Sequence, residues 1–286
     1  MPSNTNRNTM TLTFGVEIEY SIKSQEHDAL AAKHGFAARH DASVTADDGA
    51  GNGYEMVTPV LKATVTGGAV RGEIAFDESV IADLCGVAAR VNKTCGLHVH
   101  VGNPSEAASG RSVWSGEQVR AWLISAKHLE QSLFGMCPAS RSNNSHAKAI
   151  GDVFNESHFA SMEHPAHPAS PSKYNNPKRY CWLNIVETIR SGASDIPFNQ
   201  ISARGSARGL GTIENRMLGN ARQPVFIIPW VRFFLRWAAI IKEFDPVYAI
   251  SGITHGNWLG QSLSELKAAR DYISSPAARA VSPAAP

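Results

Sequence analysis

Residues 11–20 read Thr-Leu-Thr-Phe-Gly-Val-Glu-Ile-Glu-Tyr, a strict two-residue alternation that only a β-strand can exploit. Successive side chains on a strand point to opposite faces. Leu12, Phe14, Val16, Ile18 and Tyr20 therefore make one apolar face, and Thr11, Thr13, Gly15, Glu17 and Glu19 make the other. The chain is thereby committed to a sheet that packs a core with one face and keeps the other for chemistry. Two later stretches repeat the motif of ionisable groups two residues apart in a strand-like run: Cys95-Gly96-Leu97-His98-Val99-His100-Val101 and Thr212-Ile213-Glu214-Asn215-Arg216. On a shared sheet face, the three would gather three carboxylates, two imidazoles and a guanidinium.

Such a gathering calls for a cation. Two carboxylates about 7 Å apart, the spacing of i and i+2 on a strand, repel by roughly 2 kcal/mol at an effective dielectric near 20. Repulsion on this scale leads to the expectation that removing one carboxylate relieves strain in the metal-free protein. Oxygen-rich donor sets with a minority of imidazole suit Mg²⁺ or Mn²⁺, whereas structural zinc favours thiolates or more histidine. Magnesium in turn points to phosphate chemistry.

The ordered motifs resemble the amidoligase family of the glutamine synthetase-like carboxylate-amine ligase superfamily. Gly15-Val16-Glu17-Ile18-Glu19 is similar to its opening strand, and Asp41-Ala42-Ser43 with Gly53-Tyr54-Glu55-Met56-Val57-Thr58-Pro59 to its next segment. Cys95 to His100 resembles its His-x-His strand, and residues 180–185 and 212–216 resemble its late strands. The resemblance runs from about residue 11 to residue 245. It implies an α+β fold, a curved antiparallel β-sheet of the glutamine synthetase half-barrel kind with helices packed on the outer face. It also implies the reaction: ATP phosphorylates a carboxylate, and an amine displaces phosphate from the acyl phosphate to form an amide. The substrates implied are a small-molecule or peptide carboxylate and an amine donor, with ATP and Mg²⁺ (or Mn²⁺) as cofactors. Carried over by position, Glu17, His98 and Glu214 hold one metal, Glu19 and Glu55 a second, His100 lies by the nucleotide, and Arg216 acts on the phosphoryl group in transit. Only residues 1–10 precede the first strand, so the separate N-terminal domain and ring assembly of glutamine synthetase are not expected.

Further cations are candidates for phosphate contact. Residues 137–179 are rich in Ser, Asn, His and Pro and read as a lid-like insertion, with Arg141 and Arg179 expected in the catalytic set and Lys173 as a nucleotide contact. Arg208, in the Gly-rich turn 205–211, is expected beside the phosphates as well. The histidines of the insertion, among them His164 and His167 in a Pro-interrupted run, lack a nearby thiolate and make a poor zinc site.

At 286 residues the chain is long enough for one catalytic domain, expected over 11–273, after a flexible stretch 1–10 and before a disordered Ala/Pro/Ser tail 274–286. Helices are expected over 25–34, 77–91, 117–136, 224–244 and 263–273 from apolar residues at helical spacing. The most apolar of them, near Val225 to Ile241, is interrupted by Pro229, Arg232 and Arg236 and reads as a buried helix, not a membrane span. A formal charge of +2 gives no electrostatic argument for nucleic acid or membrane. Cys85, Cys95, Cys137 and Cys181 form no Cys-x-x-Cys pair, and residues 1–10 form no secretory leader, so a cytoplasmic enzyme with reduced thiols is expected. Asn215 interrupts the apolar face between Ile213 and Met217 for no reason visible in the sequence. Two rival classes are a cupin-like metal enzyme, suggested by His98 and His100, and a non-catalytic nucleotide-binding module.

Overall fold

The computed structural model describes residues 9–22, 24–45, 52–67, 69–72, 83, 92, 94–104, 114, 116–137, 141, 145, 147–153, 181–185, 212–219, 224–243 and 258–273. Over these the protein is α+β, with a large open antiparallel sheet of eight strands and helices packed on it. In chain order the elements are β1 (Thr9–Ile22), α1 (Ser24–His34), β2 (Ala37–His40), β3 (Asn52–Val57), β4 (Leu61–Thr66), β5 (Ala69–Gly72), β6 (Leu97–Gly102), α2 (Gly116–Phe134), α3 (Ile150–Val153), β7 (Leu183–Asn184), β8 (Ile213–Asn215), α4 (Pro224–Glu243) and α5 (Trp258–Ile273). The lateral order is β2-β3-β1-β6-β8-β7, with β4 and β5 continuing from β1.

The alternating strand is the centre of this sheet. β1 is fourteen residues long because it serves three partners: β4 beside its first half, β3 beside its second, and β6 along the other edge. Between β3 and β4 the chain passes through Thr58-Pro59, and proline removes a ladder donor. Thr58 repairs the junction. Its N–H donates to Val16 O at 3.0 Å and its hydroxyl accepts Val16 N–H at 3.0 Å, so β1 stays paired across the break.

The alternation sorts residues as expected. Leu12, Phe14, Val16, Ile18 and Tyr20 are all buried in the core together with Met56, Leu97, Val99, Val101 and Ile213 from neighbouring strands. Over this face lies α4, which packs against β1, β4, β5, β6 and the helices α2 and α5. Such encirclement explains why a helix apolar nearly all round is soluble in the core: Ile227, Trp230, Val231, Phe233, Phe234, Leu235, Trp237, Ala238 and Ala239 are each essentially inaccessible. No helix among the described residues is long and apolar enough to cross a membrane.

Polar groups enter this core only with partners. Ser125 on α2 donates to Ala121 O at 2.6 Å and accepts the Trp237 indole N–H at 3.0 Å, joining α2 to α4. Asn215 Oδ1 accepts Trp230 Nε1–H at 3.2 Å and Met217 N–H at 3.3 Å. That accounts for a polar residue on an apolar face: the indole of α4 needs an acceptor, which only the tertiary packing reveals.

Helices α1, α2 and α4 stand within two residues of their expected ends. α5 begins five residues earlier than expected and takes in Gly260, although glycine inside a helix costs about 1 kcal/mol against alanine. The helix expected over 77–91 lies outside the described residues apart from position 83, as do the insertion 137–179 apart from residues 137, 141, 145 and 147–153, and the tail 274–286.

Candidate metal centre

Cross-strand register decides which polar residues meet. Glu17 stands opposite His98 and Glu19 opposite Glu55, while His100 stands opposite Glu214, which also faces Asn184 on β7. Directly opposed residues share a face, so four strands deliver their ionisable groups to the side of the sheet away from α4.

The side chains converge further. Glu214 Oε1 is a hub: Arg216 Nη1 lies 2.6 Å from it, His98 Nδ1 3.4 Å and His100 Nε2 4.0 Å. Glu17 spans both imidazoles, with Oε2 3.1 Å from His98 Nδ1 and Oε1 3.2 Å from His100 Nε2. His98 also reaches the other way, its Nε2 3.4 Å from Glu19 Oε1. Ligand atoms of Glu17, His100 and Glu214 all lie within 4.8 Å of one another. Compared with known proteins, the chain matches no family model, no curated protein and no solved structure.

Electrostatics follow from this crowding. Burial opposes charge on Glu17, His100, Glu214 and Arg216, yet mutual attraction wins. The His100 and His98 imidazoles hold the Glu17 carboxyl far below the ordinary carboxylate range. Burial would discharge His100, but Glu17 and Glu214 together raise it to about 9. Glu214 is likewise depressed, against burial, by Arg216, His100 and His98. At the edge of the cluster the balance reverses: burial and the negative charges of Glu17 and Asp41 push Glu55 up to about 7, with Arg39 Nη1 3.6 Å away offsetting part of the effect.

The expectation that repulsion dominates the metal-free cluster is therefore corrected. Imidazolium and guanidinium groups interleave the carboxylates, so the cluster is held by attraction when no cation is bound. Its geometry still fits one. His100 Nε2 is buried without a hydrogen bond, lying near Glu17 Oε1 but off the line of a bond, and oriented at the carboxylates. A cation held by Glu17, His100 and Glu214 would take the place of the proton on His100 Nε2 between the same carboxylates.

The structure groups three further sets of expected residues in its own way. His100, expected beside the nucleotide, belongs with Glu17 and Glu214 in the converging triad, while His98 links that triad to Glu19. Glu19 and Glu55 do face each other across β1 and β3, but Glu19 Oε2 accepts Gly96 N–H at 2.5 Å and Glu55 pairs with Arg39. Arg141 is not a loop cation awaiting phosphate. It is buried, and its guanidinium donates to Met217 O at 3.1 Å, Arg216 O at 2.8 Å and Leu218 O at 3.3 Å, clamping the chain beyond β8. Arg179, Lys173 and Arg208 lie outside the described residues.

Sequence reasoning missed several contributors. Thr58 and Gly96 sat in recognised motifs without a physical role; Asn184 and Thr212 sat in recognised strands without any. Gly96 leaves room for the site, since a Cβ there would stand 2.7 Å from His98 Nε2 and 3.1 Å from Glu19 Oε2. Only the parity of Asn184, between the apolar Leu183 and Ile185, could have marked it in advance.

Proposed function

We propose that this protein is an ATP- and Mg²⁺- or Mn²⁺-dependent carboxylate-amine ligase that works through an acyl phosphate. The observation that supports the reading is the convergence of Glu17, His100 and Glu214 beside the Arg216 guanidinium on the face of an antiparallel sheet away from α4. Carboxylates and an imidazole make a donor set for Mg²⁺ or Mn²⁺, and a fixed guanidinium beside them supplies charge where phosphoryl transfer develops it. On this reading the sheet is the curved half-barrel of a glutamine synthetase-like catalytic domain.

ATP, when bound, would supply the phosphoryl group that activates the acid, and a divalent cation would offset the charge of its phosphates. The chain's own residues do the positioning. Glu17, His100 and Glu214 would hold the cation, and Glu214 at the same time orients Arg216 through the 2.6 Å ion pair. Arg216 Nε, buried and without a hydrogen bond among the described residues, is left to bind an anionic oxygen. Glu55, raised to about 7 by burial and by the charges of Glu17 and Asp41, faces Glu19 across β1 and β3 at the edge of the cluster.

Hydroxylamine provides a test that does not require the natural amine. Incubated with ATP, Mg²⁺ and a panel of carboxylic acids, the protein should release ADP and phosphate and form the hydroxamate of the acid it accepts. AMP and pyrophosphate in stoichiometric amounts would replace the acyl phosphate with adenylation. Absence of nucleotide cleavage across the panel, with ATP bound, would favour the non-catalytic binding module.

A further inference from the structure

Two ligands of the candidate metal centre are gripped from behind. Glu214 carries its oxygens in opposite directions: Oε1 faces the hub of imidazoles and Arg216, and Oε2 accepts the side-chain amide N–H of Asn184 at 2.6 Å. His100 is arranged the same way, with Nε2 directed at Glu17 and Glu214 and Nδ1 3.1 Å from the Thr212 hydroxyl. In each case the atom turned away from the cluster is the one that is held.

We propose that Asn184 and Thr212 are positioning residues that set the carboxylate plane of Glu214 and the ring orientation of His100 so that both present one ligand atom to the same divalent cation. With Nδ1 donating to the Thr212 hydroxyl, the Nε2 lone pair would be left for the metal, and an amide on Oε2 stops the carboxylate from rotating. Both holders are themselves rigid. Asn184 is fully buried on β7, opposite Glu214, and its strand is pinned by Trp182, whose N–H donates to Lys148 O at 3.0 Å and whose indole donates to Glu130 Oε2 at 2.6 Å. Thr212 directly precedes β8, the strand that carries Glu214, so one short segment contributes both a ligand and the holder of another. An amide donor matters here because it is neutral: a lysine in its place would compete with the cation for Glu214, and an aliphatic side chain would leave Oε2 bare.

The inference rests on the metal-centre reading, and direct Mn²⁺ binding separates the two. Mn²⁺ affinity, followed by electron paramagnetic resonance of the free ion, should fall about 10- to 100-fold in Asn184→Ala and in Thr212→Val. Thr212→Ser, which keeps the hydroxyl, should bind as wild type does. Thr212→Val conserves volume and carries the test if Asn184→Ala does not fold. Wild-type binding with both variants within threefold of it would overturn the positioning role and leave the metal centre intact. A wild-type protein that binds no Mn²⁺ would overturn both. A lower melting temperature with unchanged Mn²⁺ affinity would mark the two residues as structural only and refute the proposal.

Discussion

Gly96→Ala is the sharpest single perturbation the site offers. The added methyl would sit 2.7 Å from His98 Nε2 and 3.1 Å from Glu19 Oε2, where comfortable contacts need about 3.4 Å or more, so the imidazole must retreat by roughly half an ångström. The ring has nowhere free to go: Nδ1 is already 3.1 Å from Glu17 and 3.4 Å from Glu214, and Glu19 is held by the Gly96 N–H itself. Overpacking of this kind costs about 1–3 kcal/mol in stability, and a misplacement approaching 1 Å costs on the order of 10²-fold in turnover. Thermal melts in chelator should show the first effect, and hydroxamate formation or Mn²⁺ binding the second. Gly151→Ala is the control, because a Cβ there meets nothing within 4 Å. Wild-type melting and wild-type activity in Gly96→Ala would refute the argument that this close approach governs His98.

Glu214→Ala should lower the stability of the metal-free protein by about 3–5 kcal/mol, since it strands the Arg216 guanidinium, whose side chain is only 11 % exposed; a melt in chelator that holds or rises would restore the repulsion-dominated view. The pH dependence has a definite sign. His100 is raised from 6.5 to about 9, so its contribution to metal-free stability is complete below about 6.5 and is lost as pH climbs through about 9, whereas Mn²⁺ affinity rises over that same interval because the cation displaces the proton. Melting curves in chelator and Mn²⁺ titrations across pH 6 to 9 check both slopes. Arg216→Lys keeps the charge but loses the planar fork, and should cut turnover on the order of 10²-fold with nucleotide affinity changed far less; equal losses in affinity with turnover intact would make it a binding residue only.

Alternation along residues 11–20 was enough to determine the central strand, its buried face and the side from which Glu17 and Glu19 project, because strand parity is a local property of the backbone. The same parity exposed His98 with His100 and Glu214 with Arg216 as pairs, and helical spacing exposed α1, α2 and α4. Which pairs touch was not local. Register between β1, β6, β8 and β7 is set by ladder bonds between segments as much as 116 residues apart in the chain, and it is register that puts His100 opposite Glu214 and brings Asn184 in from behind. Partnership likewise decided the fate of individual polar residues. Arg141 reads in the sequence as one more cation in a Ser- and Asn-rich stretch, but three carbonyls left by the end of β8 claim it. Asn215 reads as a fault in an apolar face until the Trp230 indole arrives from α4 in need of an acceptor. A buried donor or acceptor must find its complement wherever the fold places one, and that complement is a fact of three dimensions.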